Sequence, residues 1–191
     1  MEVITLGSAY VNWYIVRSSE GIVVIDAGFP GYFSQFEKAL EKHQIDPKEL
    51  KAVLLTHAHN DHIGCAEAIR NRFQIPVYLH QADQSSAVKI DHLPPLWFVK
   101  NCWRWPVLKS MFHALLQGKT FATKALREVI TFTDGNELPV PGKPFVIHTP
   151  GHTMGESCFY FREAGLLFSG DALVTKNVFT GLEGDLQLLH H

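Results

Sequence analysis

Thr56-His57-Ala58-His59-Asn60-Asp61-His62 comes directly after the apolar run Ala52-Val53-Leu54-Leu55 and places three imidazoles and a carboxylate within six positions. A buried strand is expected to end here and a ligand-bearing loop to begin. Hydrophobic burial gives no reason for four ionisable groups so close together. A divalent metal does, because neutral imidazole nitrogen and ionised carboxylate oxygen are its usual ligands. His57 and His59 are two apart, so on an extended segment both side chains leave the backbone on one side and converge on one ion. Asp61 and His62 follow where the chain would tighten into a helix, aimed at a second ion.

Two later segments extend the pattern: Thr149-Pro150-Gly151-His152-Thr153-Met154-Gly155 and Phe168-Ser169-Gly170-Asp171. The pattern His57-x-His59-x-Asp61-His62, followed by these two, resembles the metallo-beta-lactamase superfamily of hydrolases, from the N-terminal strands to Asp171. The resemblance implies an α+β fold, an αββα sandwich, with a one- or two-metal centre at the edge between two sheets. His57, His59 and His152 would hold the first ion with a position open to water, as in catalytic zinc sites. Asp61 and His62 would hold the second, and Asp171 would bridge the two.

The family usually supplies one more histidine well downstream. This chain stops twenty residues after Asp171, at Leu188-Leu189-His190-His191, and the two terminal histidines are not expected to replace that ligand. The second ion should therefore bind more weakly, and the outer sheet is expected to lack its closing strand. Zn2+, one or two ions, is the expected cofactor, with Fe or Mn as alternatives.

A chain of 191 residues suits one domain, and 46% apolar and 19% charged residues with a formal net charge of -2 are ordinary for a globular protein. Basic residues are not gathered into a stripe, so no nucleic-acid partner is expected. No apolar run approaches the roughly 20 residues that span a bilayer. The N-terminus lacks the basic segment and apolar core of a signal peptide, so no membrane association is expected. Cys65, Cys102 and Cys158 form an odd, scattered set and read as reduced thiols, consistent with a cytoplasmic protein.

In chain order, Val3-Leu6, Val11-Val16 and Gly21-Ile25 read as strands, the last ending in Asp26-Ala27-Gly28. By the resemblance, Asp26 braces the histidine loop instead of ligating; its own residues equally suit a turn. Phe33, Phe36, Ala39 and Leu40 recur at helical spacing, and Asp46-Pro47 reads as a cap and first-turn pair. A second helix is expected from Cys65 to about Arg72. Further strands are expected at Pro76-Leu79, Ile130-Thr133, Phe145-Ile147, Ser157-Phe161 and Leu166-Phe168. His80 and His148 are expected to be packed or hydrogen-bonded, not to bind metal.

Residues 85–126 read as a helical insertion within the single domain 1–191. Pro94-Pro95 breaks the chain, and Leu96-Trp97-Phe98-Val99, Cys102-Trp103-Arg104-Trp105 and a helix up to Gly118 follow. The insertion suits a satellite core, a lid over the site or a partner surface such as that of a homodimer. As a hydrolase of the lactonase or glyoxalase II-like kind, the protein would use water on an ester, thioester or lactone of a small molecule with an apolar acyl part. Asp61 would then orient the water or return its proton. An iron-dependent oxidoreductase and a truncated noncatalytic member are the rival expectations.

Overall fold

The computed structural model describes residues 1–90, 100, 101, 103–176 and 183–186. Strands β1 (Glu2–Gly7), β2 (Asn12–Ser18) and β3 (Gly21–Ile25) form an antiparallel meander. β4 (Leu50–Leu54), β5 (Val77–His80) and β6 (Ile130–Phe132) then add in parallel beyond β3, giving a six-stranded sheet in sequence order. Parallel neighbours need crossovers. Helices α1 (Phe33–Lys42), α2 (Asn60–Ile63) and α3 (Ala66–Phe73) lie in two of them. The consequence for function is that β3, β4, β5 and β6 all end at the same edge, where ligands of such sheets bind.

The apolar run of β3 has no polar alternation because both of its faces are covered. Ile22 and Val24 face the helices, packing in a core with Phe36, Ala39 and Leu40 of α1 and Ile69 of α3. Val23 and Ile25 face the other way, with Ala52, Leu54 and Tyr78, onto a second, antiparallel sheet. That sheet consists of β7 (Phe145–His148), β8 (Ser157–Phe161) and β9 (Leu166–Phe168). It contributes Val146, Phe159, Phe161 and Phe168 to the shared core. The α+β class with two stacked sheets is the one expected. The outer face of the small sheet is less covered, with Ile147 37% and Leu167 56% exposed.

Most local signals are met. Asp46 caps the turn Pro47–Glu49 in a reciprocal box, accepting from Lys48 N–H while its own N–H donates to Glu49. Two strands carry no clear signal in the sequence: β10 (Leu173–Lys176) and β11 (Glu183–Leu186), an antiparallel ribbon after Asp171 whose strands pair with each other. Neither LVTK nor EGDL carries a clear period-two pattern, so their pairing is decided in three dimensions.

In the insertion, α4 (Gln84–Val88) is followed by α5 (Trp105–Phe112) and a wider turn, His113–Gln117. Val107 is buried, whereas Trp103 and Trp105 are 79% and 64% exposed, and Phe112 and Leu116 are also open to solvent. The insertion is fastened where Gly31 N–H donates to Gly118 O at 2.8 Å. A Cβ on Gly31 would meet Gln117 O at 2.0 Å, so only glycine permits that approach. His113 docks there among Tyr10, Phe29 and Tyr32, with its ring against the Tyr32 hydroxyl. Pro94-Pro95, Leu96-Val99, Cys102 and the terminal His190 and His191 lie outside the described residues.

Candidate metal centre

The strand ends deliver the site. β4 runs out at Leu54, the chain bends at Thr56 and is extended at His59, and α2 then tightens over Asn60–Ile63, so that His57 and His59 project together while His62 turns inward. β7 and the loop after it bring in His152, and the turn after β9 brings in Asp171. His59 Nδ1 lies 2.8 Å from His152 Nε2. His57, His59 and His152 each offer one ligand atom within 4.8 Å of the others, and His57, His62 and Asp171 do the same. Asp171 turns one oxygen to each group, Oδ2 at 3.3 Å from His152 Nε2 and Oδ1 at 3.4 Å from His62 Nε2. Asp61 stands at the solvent side, its Oδ2 3.9 Å from His62 Nε2.

The donor set fits a divalent cation on an independent observation. His57 Nε2 is fully buried and has no hydrogen-bond partner among the described residues, an arrangement that is costly unless a ligand takes the lone pair. Burial, and then the neighbouring imidazoles His62, His59 and His152, hold His57 well below its ordinary pKa, in the neutral form that binds metal. Burial alone would lower His62 as well, but the carboxylates of Asp26, Asp171 and Asp61 outweigh it and hold the imidazole well above its usual value. Burial would raise Asp171, yet His62, His152 and His59 pull it down to about 2.

Asp26 braces the loop. It sits at φ 59°, a left-handed conformation that aspartate tolerates. Its carboxylate accepts from Thr56 N–H at 2.8 Å, from the Thr56 hydroxyl at 2.9 Å and from His62 Nδ1–H at 2.9 Å. With its proton committed to Asp26, His62 presents Nε2 to Asp171, the carboxylate–histidine arrangement that orients metal ligands. His80 and His148 lie apart from the clusters. They stack on each other at 4.0 Å; His80 Nδ1 accepts from Ala82 N–H, and His148 Nε2–H donates to Met154 O.

Two buried acids of the site, Asp83 and Glu156, do not stand out in the sequence. Asp83, just after β5, contacts both histidine loops. Glu156, just before β8, is completely buried behind His57. Glu156 Oε1 accepts from Asp171 N–H at 3.2 Å, and Oε2 lies 3.1 Å from His57 Nδ1 but poorly aligned for a hydrogen bond. The better-directed partner of that nitrogen is Thr56 Oγ1, also at 3.1 Å. Gly170, at φ 52°, leaves room for Glu156, since a Cβ there would meet Oε1 at 2.2 Å. The available signal was an acid placed directly before a mostly apolar strand.

Burial pushes the Glu156 carboxyl up to about 9, from 4.5 for a free one. The folded pKa is raised, so the stabilising contribution is complete below about 4.5 and is lost as pH rises towards 9. The ion-free Glu156→Gln variant should therefore gain stability relative to ion-free wild type as pH is raised through that window. Paired melting curves across it check this; a difference that does not change with pH would place the carboxyl's pKa elsewhere.

Residues 6–191 match the family described as the metallo-beta-lactamase superfamily. The "Probable metallo-hydrolase YqgX" of Bacillus subtilis is 28% identical over 169 residues, 88% of this chain and 68% of that protein. The crystal structure of the metallo-beta-lactamase family protein TTHA1429 from Thermus thermophilus superposes with a TM-score of 0.67 at 23% identity, over 99% of this chain and 64% of that one. TTHA1623, solved in a di-iron-bound form, gives a TM-score of 0.62 at 27% identity, over 90% of this chain and 72% of its own. The chain thus spans between 64% and 72% of the length of these three proteins. Strand ends that converge three histidines and a two-faced aspartate on an unpartnered imidazole nitrogen agree with the match over nearly the whole sequence: the chain belongs to the metallo-beta-lactamase superfamily.

Proposed function

We propose that the chain is a metallo-hydrolase that uses water to cleave an ester, thioester or lactone of a small molecule with an apolar acyl part. The observation that carries this is the orphaned, buried His57 Nε2 facing the ligand atoms of His59 and His152. His57, His59 and His152 would hold one ion, and His62 and Asp171 a second beside it, with Asp61 at its solvent side. A divalent cation so held supplies Lewis acidity to the scissile carbonyl and brings the pKa of water towards neutrality. Asp61, 35% exposed beside His62, would orient the attacking water or return a proton to the leaving group. Asp26 keeps His62 aligned throughout.

Zinc is the ion that three histidines with an open position favour. Iron or manganese remains an alternative that the same donors accept, and one relative is known in a di-iron form. The exposed Trp105, Phe112 and Leu116 of the docked insertion support an apolar substrate portion. No described helix is long and apolar enough to cross a membrane, and a cytoplasmic location fits that reading.

Elemental analysis of untagged protein, paired with assays on a lactone, a thioester and a beta-lactam, tests the proposal. Metal bound at one or two equivalents with turnover of one of them, both lost on chelation and restored on metal return, is the expected result. Chelation should also lower the melting temperature, because an ion that binds only the folded state stabilises it. A metal-replete protein without turnover would favour a noncatalytic member; turnover unaffected by complete metal removal would sink the proposal.

A further inference from the structure

Asp83 is 4% exposed and lies outside both ligand groups. Its Oδ2 accepts from Ala58 N–H at 3.1 Å, the residue between His57 and His59, and from the Thr153 hydroxyl at 2.8 Å, next to His152. Its Oδ1 accepts from Gly155 N–H at 2.8 Å. One carboxylate from the end of β5 therefore ties the loop after β4 to the loop after β7, two segments far apart in sequence that have to meet at a single ion. Gly155 shows how tightly the acid is housed: a Cβ there would meet Asp83 Cγ at 2.6 Å and Oδ1 at 2.8 Å. Its φ is not in the positive range, so the obstacle to a side chain is Asp83 itself.

We infer that Asp83 is a positioning residue of the metal centre, a clasp that sets the spacing between His57 and His59 on one loop and His152 on the other. The inference rests on the metal reading above. Three donors converge on one carboxylate, and an amide in its place would keep one acceptor oxygen and turn an NH2 towards a donor. Histidine ligands misplaced by a small shift bind an ion less well, and loss of a supporting partner typically weakens metal affinity ~10–100-fold.

Asp83→Asn removes the clasp, and Gly155→Ala displaces it while leaving the acid in place. Three quantities are measured on each: zinc affinity by chelator competition, the visible spectrum of the cobalt-substituted protein, and nuclear Overhauser contacts between the His59 and His152 rings without metal, which stand 4.5 Å apart. The expected result is a ~10–100-fold loss of zinc affinity in both variants, an altered cobalt spectrum and weakened ring contacts. Wild-type affinity, spectrum and ring contacts would overturn the inference even if the melting temperature fell, since that pattern means a purely structural role. If Asp83→Asn does not fold, Gly155→Ala and Thr153→Val, which deletes one bond of the three, decide by the same readouts. Failure of the wild type to take up zinc or cobalt would instead refute the metal reading, and the ring contacts in metal-free protein would still judge the clasp.

Discussion

Replacing His152 with alanine is expected to abolish metal-dependent hydrolysis while leaving the fold almost intact. Its Nε2 is 2.8 Å from His59 Nδ1 and 3.3 Å from Asp171 Oδ2, so its loss opens the first histidine group on the side that faces that carboxylate. Removing a partner that merely supports a ligand costs ~10–100-fold in affinity or activity; removing the ligand itself should cost more. Stability should change little. His152 lies in a loop with its side chain 20% exposed, and substitutions away from core packing usually stay within about 0.5 kcal/mol. The checks are turnover and metal content beside a melting curve of metal-free protein. Normal turnover by the variant would sink the site assignment.

Asp26→Ala should do the reverse and damage the fold first. The loss leaves Thr56 N–H, the Thr56 hydroxyl and His62 Nδ1–H without their acceptor, in a region where Asp26, Thr56 and His62 are all buried. Each such orphan costs ~1–3 kcal/mol. Holding alanine in the left-handed region at φ 59° adds about 1 kcal/mol. The orphaned donors therefore dominate, and a total on the order of 3 kcal/mol or more is expected. Asp26→Asn tolerates the same backbone and keeps one acceptor, so it should fall between the two. Urea unfolding of metal-free wild type and both variants measures this; a cost of only about 1 kcal/mol for alanine, with almost none for asparagine, would mean that backbone conformation, not the orphaned donors, sets the stability.

The two cases separate what the chain reveals on inspection from what it does not. The histidine loop is legible because ionisable groups crowd the end of an apolar strand, a composition that packing alone does not produce. The positions of the strands up to β9 along the chain are legible as apolar segments bounded by turn residues, clearest in β3, whose two faces are both covered. The ribbon β10–β11 is not, since its short segments have no periodic signature. The insertion is visible as an aromatic helical stretch. That His113 docks between Tyr10 and Tyr32 and that Gly31 receives Gly118 depend on contacts across many residues of sequence.

The carboxylates make the division plainest. In sequence, Asp26, Asp61, Asp83, Glu156 and Asp171 are all acids near strand ends and chemically almost alike. The kind of chemistry is legible in the chain alone: imidazole and carboxylate donors in a spacing suited to divalent cations. Where each acid stands follows only from the folded arrangement. Asp171 faces both histidine groups, Asp61 stands at the open side, Asp26 orients His62, Asp83 joins two loops, and Glu156 is enclosed behind His57. The reason is physical: ligand type is a property of a side chain, whereas ligation, bracing and burial depend on distances of a few ångströms between segments that meet only when the sheets stack.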